Sequence, residues 1–199
     1  MKPILPVLKL LRQFVGDDAS RPWACGVLLE KDKAYATNNV LLVGADCDWS
    51  GPRCNLPSFA VDELIRMNME PTHITADENH ITFFFKGDSW LRTQLFSTEW
   101  PDVAAMLKSK FKGEAITSDL VEAITKIIPF CADPKFPVIH FKDNKISTAE
   151  GDMNAEVTGF ALPDGIYRAE PLLLALRNAT KIDFNQYPKP CPFKGDGLQ

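Results

Sequence analysis

Few residues in this chain have types and spacings suited to chemistry. His73, His80 and His140 each lie in a strand-like segment, where a surface or half-buried role is typical. Asp46 and Asp48 flank a cysteine before Trp49, but no further carboxylates follow at a spacing that would complete a metal site. No phosphate-binding glycine loop, nucleophile elbow or zinc pattern is present. The sequence therefore predicts no enzyme, no metal and no cofactor.

The cysteines are odd in number and form no Cys-x-x-Cys pair. They are Cys25, Cys47, Cys54, Cys131 and Cys191. This pattern favours reduced thiols in a cytoplasmic protein over a disulfide framework. Cys25 and Cys131 fall at loop ends, where they are expected to act as small buried apolar residues.

Positive side chains on the predicted helices are the more informative group. The candidates are Lys9, Arg12, Arg66, Lys126 and Arg177, with Lys181 just beyond the last helix. The pattern alone leaves two interpretations open. These residues could simply be solvated, since lysine and arginine are common on any exposed helix face. Equivalent helices could instead present the cations to a phosphate backbone, in which case binding would not depend on the DNA sequence and would weaken strongly with salt. The net charge of −4 excludes a uniformly basic protein but not a local basic face.

The length and hydropathy of the chain limit the number of domains and the kinds of helix that can hold these side chains. The 199 residues suffice for one large domain or two of about 100 residues. No apolar run approaches the roughly 20 residues of a membrane helix, so no membrane partner is expected. The first residues resemble a signal peptide, but Lys9 and Arg12 interrupt the apolar core and no cleavage site follows. A helix is predicted there instead.

A hairpin pattern occurs twice in the chain. VLLEKDKAYAT, residues 27–37, and VIHFKDNKISTA, residues 138–149, share an apolar run, a Lys-Asp turn and a return run, at an offset of 138 − 27 = 111 positions. Phe-Lys-Gly-Asp also recurs, at 85–88 and 193–196, an offset of 193 − 85 = 108. Chance explains one such match more readily than several in the same order.

Helix patterns recur in the same order. Ile4 to Val15 and Ser118 to Ile128 each carry an apolar stripe, and Ser118 is expected to cap the later helix. Shorter helices are predicted at 58–67 and 167–179. Together the elements predict an α+β fold with two copies of a helix–hairpin–helix–hairpin module, residues 1–112 and 113–199, joined near residues 100–113. The second copy is expected to lack its last strand, and Pro3 and Pro6 leave little room for a strand before the first helix.

This order of elements resembles the DNA polymerase sliding clamps, above all the bacterial beta-subunit type and its phage-encoded relatives. Three segments carry the resemblance: SRPWACGVLLE (residues 20–30), SWLRTQLFSTEWPDV (89–103) and ALPDGIYRAEPLLLAL (161–176). The first is similar to an Arg-Pro loop that enters a hairpin. The second is similar to the end of a clamp module, and the third to a strand-turn-helix entry.

The resemblance implies a ring of six modules whose helices face a central hole that duplex DNA threads. Partners would be double-stranded DNA, and peptides of the polymerase and clamp loader that dock in an apolar pocket; no catalysis is implied. Arg21 matches the Arg of the Arg-Pro loop, and the six cations named above match positions that can face the hole, with Asp62 and Glu63 offsetting Arg66. Two modules per chain would require a homotrimer, in the cytoplasm.

Two other interpretations remain at this stage. A clamp-derived adaptor or decoy would bind replication proteins without forming a ring, which a clipped module and a thin basic lining favour. A nucleic-acid enzyme would need a clustered acidic or metal-binding site, and no such cluster is evident in the sequence.

Overall fold

The chain folds into two compact units, residues 1–107 and 108–199. We analysed a computed structural model that describes residues 3–108 and 110–198. Each unit combines helices with antiparallel sheets, so the predicted α+β class is confirmed. Within the described residues, no helix is long and apolar enough to cross a bilayer.

The described residues of the first unit form two long helices, one short helix and seven strands. The helices are α1 (Ile4–Leu11), α2 (Ser58–Met67) and α3 (Val103–Met106). The strands are β1 (Gly26–Glu30), β2 (Lys33–Thr37), β3 (Leu42–Asp46), β4 (Cys54–Pro57), β5 (His73–Ala76), β6 (His80–Phe84) and β7 (Trp90–Gln94). They form two sheets, in the orders β3-β2-β1-β4 and β5-β6-β7.

The second unit repeats this plan. Its helices are α4 (Ser118–Ile127) and α5 (Ala169–Asn178). Its strands are β8 (Glu114–Ala115), β9 (Val138–Lys142), β10 (Lys145–Thr148), β11 (Asn154–Glu156), β12 (Gly165–Arg168), β13 (Lys181–Ile182) and β14 (Phe193–Lys194). The sheet orders are β11-β10-β9-β12 and β14-β13-β8, so the four-stranded sheets of the two units share one topology.

The first helix of each unit buries the same stripe. The buried positions of α1 and α4 correspond pairwise: Ile4 to Leu120, Val7 to Ala123, Leu8 to Ile124 and Leu11 to Ile127. The offset is 120 − 4 = 116, and a 3₁₀ turn follows each helix, at Arg12–Phe14 and Ile128–Phe130. Apolar residues three and four apart lie on one helix face, which explains why the sequence pattern located both helices.

The starts of these two helices differ in how their backbone donors are satisfied. The Leu5 N–H of α1 donates to Glu70 Oε1 at 2.9 Å, so a distant carboxylate meets the positive end of the helix. In α4 the Leu120 N–H donates to Thr117 Oγ1 at 3.3 Å. The expectation that Ser118 caps α4 is therefore wrong by one residue, because Thr117 has extended backbone and Ser118 is already helical.

By strand pairing, the two hairpins correspond at an offset of 112 positions, one more than the offset of 111 at which their sequences match. The pair Glu30–Lys33 closes the first hairpin and Lys142–Lys145 closes the second, which gives 145 − 33 = 112. The Lys-Asp dipeptides are consequently not equivalent. Asp143 and Asn144 both have positive φ, as a type I′ turn requires, and they occupy the two turn positions of the second hairpin.

The repeated Phe-Lys-Gly-Asp segments are also not equivalent. Thr72 donates its N–H and hydroxyl to Phe84 O, and Thr180 donates the same two groups to Lys194 O. Phe84 thus corresponds to Lys194, at 194 − 84 = 110 rather than 108. The turn after β6 holds three residues, Lys86 to Asp88, whereas Gly195 pairs with Leu198 around a two-residue turn. Gln199, where the second copy was expected to stop, lies outside the described residues.

Part of the segment predicted to be a linker, residues 100–113, packs on the four-stranded sheet of the first unit. Trp100 and Val103 pack on Leu28 and Tyr35, on one face of the β3-β2-β1-β4 sheet. In the second unit, hairpin equivalence places His140 and Ser147 at the positions of Leu28 and Tyr35. Both are only half-buried. At these two positions the side chains are apolar in the unit where the cover exists and polar in the other, as expected from the cost of exposing apolar surface.

We predict that two equivalent phenylalanines contribute very differently to stability. Phe14 and Phe130 end the equivalent 3₁₀ turns, but Phe14 is 0% exposed and Phe130 56% exposed. Phe14→Ala should lower the free energy of unfolding by about 3–5 kcal/mol through the lost burial and the cavity it leaves. Phe130→Ala should change it by about 0.5 kcal/mol or less. Urea unfolding followed by circular dichroism measures both, and equal losses would contradict this assignment of the core.

Candidate nucleic-acid interface

The first unit brings three of the predicted cations onto the packed pair α1 and α2. Lys9 Nζ donates to Asn68 Oδ1 at 2.7 Å. Arg12 donates Nε and Nη2 to the two carboxylate oxygens of Asp62 at 2.6 and 2.9 Å. This hydrogen-bonded pair raises the pKa of the Arg12 guanidinium. The guanidinium of Arg12 is therefore occupied by the neighbouring helix.

Arg66 and Arg21 have contrasting surroundings. Arg66 donates to both carboxylate oxygens of Glu63, one turn earlier on α2, at 2.7 and 2.6 Å, which lowers the pKa of Glu63. The sequence predicted that Asp62 and Glu63 would both offset the charge of Arg66; Glu63 does so, whereas Asp62 pairs with Arg12. Arg21 is exposed in the loop before the 3₁₀ turn Pro22–Ala24, where its N–H donates to Asp18 O. Within residues 3–108 and 110–198, no carboxylate forms an ion pair with Arg21.

The second unit holds the other three predicted cations. Lys126 pairs with Glu122 on α4 at 2.6 Å. Arg177 is exposed in the last turn of α5, and Lys181 is exposed at the start of β13, directly opposite Lys194 on β14. Arg177 and Lys181 form no ion pair in the part of the chain that the structure describes.

The helices carry no excess of positive charge. The cations on the two helix pairs and the turn after α1 are Lys9, Arg12, Arg66, Lys126 and Arg177. An equal number of carboxylates lies on the same elements: Asp62, Glu63, Asp119, Glu122 and Glu170. Three of the five cations are held in exposed ion pairs. Lys9, Arg21, Arg177 and Lys181 are the predicted site residues that keep their charge available to a partner.

The repeat does not reproduce these cations. Arg66 and Arg177 are equivalent, since α2 and α5 start at positions 58 and 169, an offset of 111. By the offset of 116 between α1 and α4, however, Lys9 corresponds to Thr125 and Arg12 to Ile128. Only one basic position therefore recurs, so module equivalence does not by itself support a basic lining.

An apolar surface next to α3 was not predicted from the sequence. Trp23, Leu42 and Leu107 are partly buried against the cluster that Trp100 covers, and we call these residues the linker cluster. The Trp23 and Trp100 rings meet edge to face at 5.4 Å. Met106 is 63% exposed on α3, the helix that ends just before Leu107. In the sequence, the available signal for this surface was the two tryptophans that neighbour prolines, Trp23 and Trp100. The contact between their rings forms only in the tertiary fold and could not be predicted from that signal.

A shallow cleft on the first unit is acidic rather than basic. Asp77, Glu78 and Glu99 line this space of about 550 Å³ together with Trp100 and Arg53. Asp77 already accepts from Arg92 at 3.1 Å, and the cleft offers no excess of donors for a phosphate. Across the described residues, no group of three or more His, Cys, Asp or Glu side chains could hold a metal ion.

Known proteins resemble this chain in structure but not in sequence. No protein-family model matches the chain, and no curated protein sequence matches it. Solved structures do match: Caulobacter crescentus pol III beta has a TM-score of 0.77 at 14% identity, with 98% of this chain and 62% of that chain covered. The DNA polymerase sliding clamp from Pseudomonas aeruginosa gives 0.72 at 16% identity, over 99% and 59% of the two chains.

The same fold is found in a further solved clamp structure. The beta subunit from DNA polymerase of Streptococcus pyogenes has a TM-score of 0.68 at 18% identity, covering 92% of this chain and 58% of that one. The chain therefore has the sliding-clamp fold, as two modules with two helices packed on antiparallel sheets in each. It spans about three fifths of the length of these clamp chains.

We predict that the cysteines divide into two reactivity classes. Burial raises the pKa of Cys54 to about 12 and that of Cys47 to about 11, and both side chains are nearly inaccessible. Because the thiolate is the reactive form, these two should react slowest with an aromatic disulfide reagent at pH 8. Cys25, Cys131 and Cys191 are half-exposed and should react first. Denaturant should equalise all five; equal rates in the native chain would contradict the buried assignment.

Proposed function

We propose that this chain is a clamp-like processivity factor that holds duplex DNA and tethers a replicative polymerase. The observation that carries the proposal is the pair of clamp-fold modules, which share the order of the four-stranded sheet, the buried helix stripes and the pairing of the first hairpin. Tethering raises the local concentration of the polymerase at its primer, so that a weak contact becomes a long-lived association. No catalytic step is part of this role.

The DNA contacts in this proposal come from the cations without an internal ion pair. Lys9, Arg21, Arg177 and Lys181 would meet phosphates loosely, which suits a protein that must slide. Lysine and arginine contacts of this kind position the duplex without reading its sequence. Arg12, Arg66 and Lys126 would contribute less, because each would first have to leave a carboxylate 2.6 Å away.

Partner peptides would dock on the linker cluster. A Helicobacter pylori beta clamp has been solved bound to a DNA ligase peptide, with the same fold at a TM-score of 0.69. In the present chain, the half-buried Trp23, Leu42 and Leu107 offer apolar surface to a short peptide, as an anchor site requires. We propose the polymerase and the clamp loader as the sources of such peptides, in the cytoplasm of a bacterium or of a phage-infected cell.

A second candidate is an adaptor or decoy that binds replication proteins without encircling DNA. The balance of five cations and five carboxylates on the helical elements favours it, because a neutral surface attracts a polyanion weakly. A six-module ring would require three chains. The two candidates differ in assembly and in topological capture of DNA, and both properties can be measured.

We predict that the ring form is retained on closed circular DNA. Three copies of 22.2 kDa give about 67 kDa, which light scattering at micromolar concentration should detect. Protein loaded on a closed plasmid should remain bound through gel filtration and should be released when a restriction enzyme linearises the plasmid. A persistent 22.2 kDa monomer that is not retained would instead support the adaptor.

We also predict which side chains set the salt dependence of duplex binding. Each lost phosphate contact reduces the slope of log K against log salt by about 0.9. Replacing Lys9, Arg21, Arg177 and Lys181 together with glutamine should therefore flatten the slope by up to about 3–4 for each bound chain. The control Glu63→Gln/Arg66→Gln removes an ion pair without changing net charge and should leave the slope unchanged. An unchanged slope in the fourfold variant would rule these residues out as the DNA contacts.

A further inference from the structure

Two buried polar side chains in the shallow cleft of the first unit each have a polar atom without a hydrogen-bond partner. We call this cleft, which Asn55, Asp77, Glu78, Glu99 and Trp100 help to line, the acidic cleft. Asn55 is 4% exposed and Trp100 is 6% exposed. The Trp100 indole N–H donates to no atom of the described residues, and Asn55 Oδ1 accepts from none. Because buried polar atoms almost always have a partner, this unmatched donor and acceptor indicate a ligand in the cleft.

The fold itself does not require an amide at position 55. Asn55 pairs with Leu28 on β1, and Ile166 pairs with His140 at the equivalent place in the second unit. The module therefore accepts an aliphatic side chain there, which has no polar atom to satisfy. The buried amide is a property of the first unit alone, and it lies where that unit has the acidic cleft.

The acidic cleft keeps negative charge that the chain does not neutralise. Asp77 is already paired with an arginine of β7 at 3.1 Å. Arg53 also lines the cleft, but it is paired with Glu30 at 3.4 Å. Glu78 and Glu99 are exposed, and neither forms an ion pair within residues 3–108 and 110–198. The cleft therefore attracts a cationic occupant and repels a phosphate.

The acidic cleft adjoins the linker cluster. Leu28 and Trp100 line the cleft, and the residues of the linker cluster pack against the same two side chains. Asn55 Nδ2 donates to the carbonyl oxygen of Trp23 at 3.2 Å, so the amide connects the cleft with the tryptophan of the linker cluster. A peptide with apolar side chains on the linker cluster can therefore continue into the cleft.

We propose that the acidic cleft binds an arginine-containing segment of a partner protein, next to apolar residues that dock on the linker cluster. The inference rests on the proposed function, because it assigns a charge to the peptides proposed to dock there. A guanidinium offers fixed N–H donors to the unpaired carboxylates of Glu78 and Glu99. The peptide backbone supplies a C=O for the Trp100 indole and an N–H for Asn55 Oδ1, two complements that an isolated cation lacks.

The test uses the full chain and an acetylated, amidated peptide in which two leucines precede two arginines. Its control carries citrulline in place of arginine, because citrulline keeps the shape of the side chain and loses the charge. Isothermal titration at low salt should give the arginine peptide an affinity about fivefold or more above that of the citrulline peptide. Glu78→Gln/Glu99→Gln should abolish this difference. The matched control Glu114→Gln/Glu150→Gln removes two exposed carboxylates from the second unit and should preserve it.

A second variant tests the backbone contact. Trp100→Phe keeps an aromatic ring over the sheet and removes the indole N–H, so it should weaken both peptides alike, by about two- to tenfold. Thermal unfolding shows whether this variant keeps the native fold.

Three results would overturn the proposal. The first is no heat of binding with either peptide at millimolar concentration. The second is equal affinity of the wild type for the two peptides, which would leave docking on the linker cluster intact and remove the cationic site. The third is a change of mass in light scattering on Glu78→Gln/Glu99→Gln, which would mean that a second copy of the chain occupies the cleft. Retention on closed circular DNA is measured separately, so failure of this inference is distinguishable from failure of the proposed clamp function.

Discussion

Burial of one helix stripe against one antiparallel sheet is the constraint on which each unit depends. Leu8 and Ile124 are both 0% exposed at equivalent positions, and the neighbouring stripe residues are buried with them. This contact determines which faces of the helices and of the sheets are left for solvent and partners. Apart from Arg21, which lies in a loop, the predicted cations lie on those remaining faces, where the fold tolerates wide variation in side chain.

Equivalent outward positions show how far that variation extends. Leu28 and Tyr35 lie beneath Trp100 in the first unit, whereas the half-buried His140 and Ser147 occupy the same positions in the second. His73 likewise corresponds to Lys181. The repeat thus conserves the backbone plan and the core while the two surfaces have different chemistry. Any interaction must therefore be argued for one unit at a time.

Much of the fold could be predicted because apolar periodicity is a local property of the sequence. The helix α2 was predicted at residues 58–67, which are its observed bounds. The register between the two units was harder to predict, because identical residues in a turn can occupy positions that are not equivalent in the fold. The Lys-Asp match differs from the structural alignment by one residue, and the Phe-Lys-Gly-Asp match differs by two. Strand pairing, not letter identity, sets the alignment.

The candidate site was less predictable, because charge pairing depends on tertiary contacts. Arg12 and Asp62 are 50 positions apart in the sequence, and nothing local indicates that the carboxylate occupies the guanidinium. The Glu63–Arg66 pair could be foreseen, because residues three apart on a helix are neighbours. The tertiary Arg12–Asp62 pair therefore adds to the local Glu63–Arg66 and Glu122–Lys126 pairs in reducing the free positive charge on the helices.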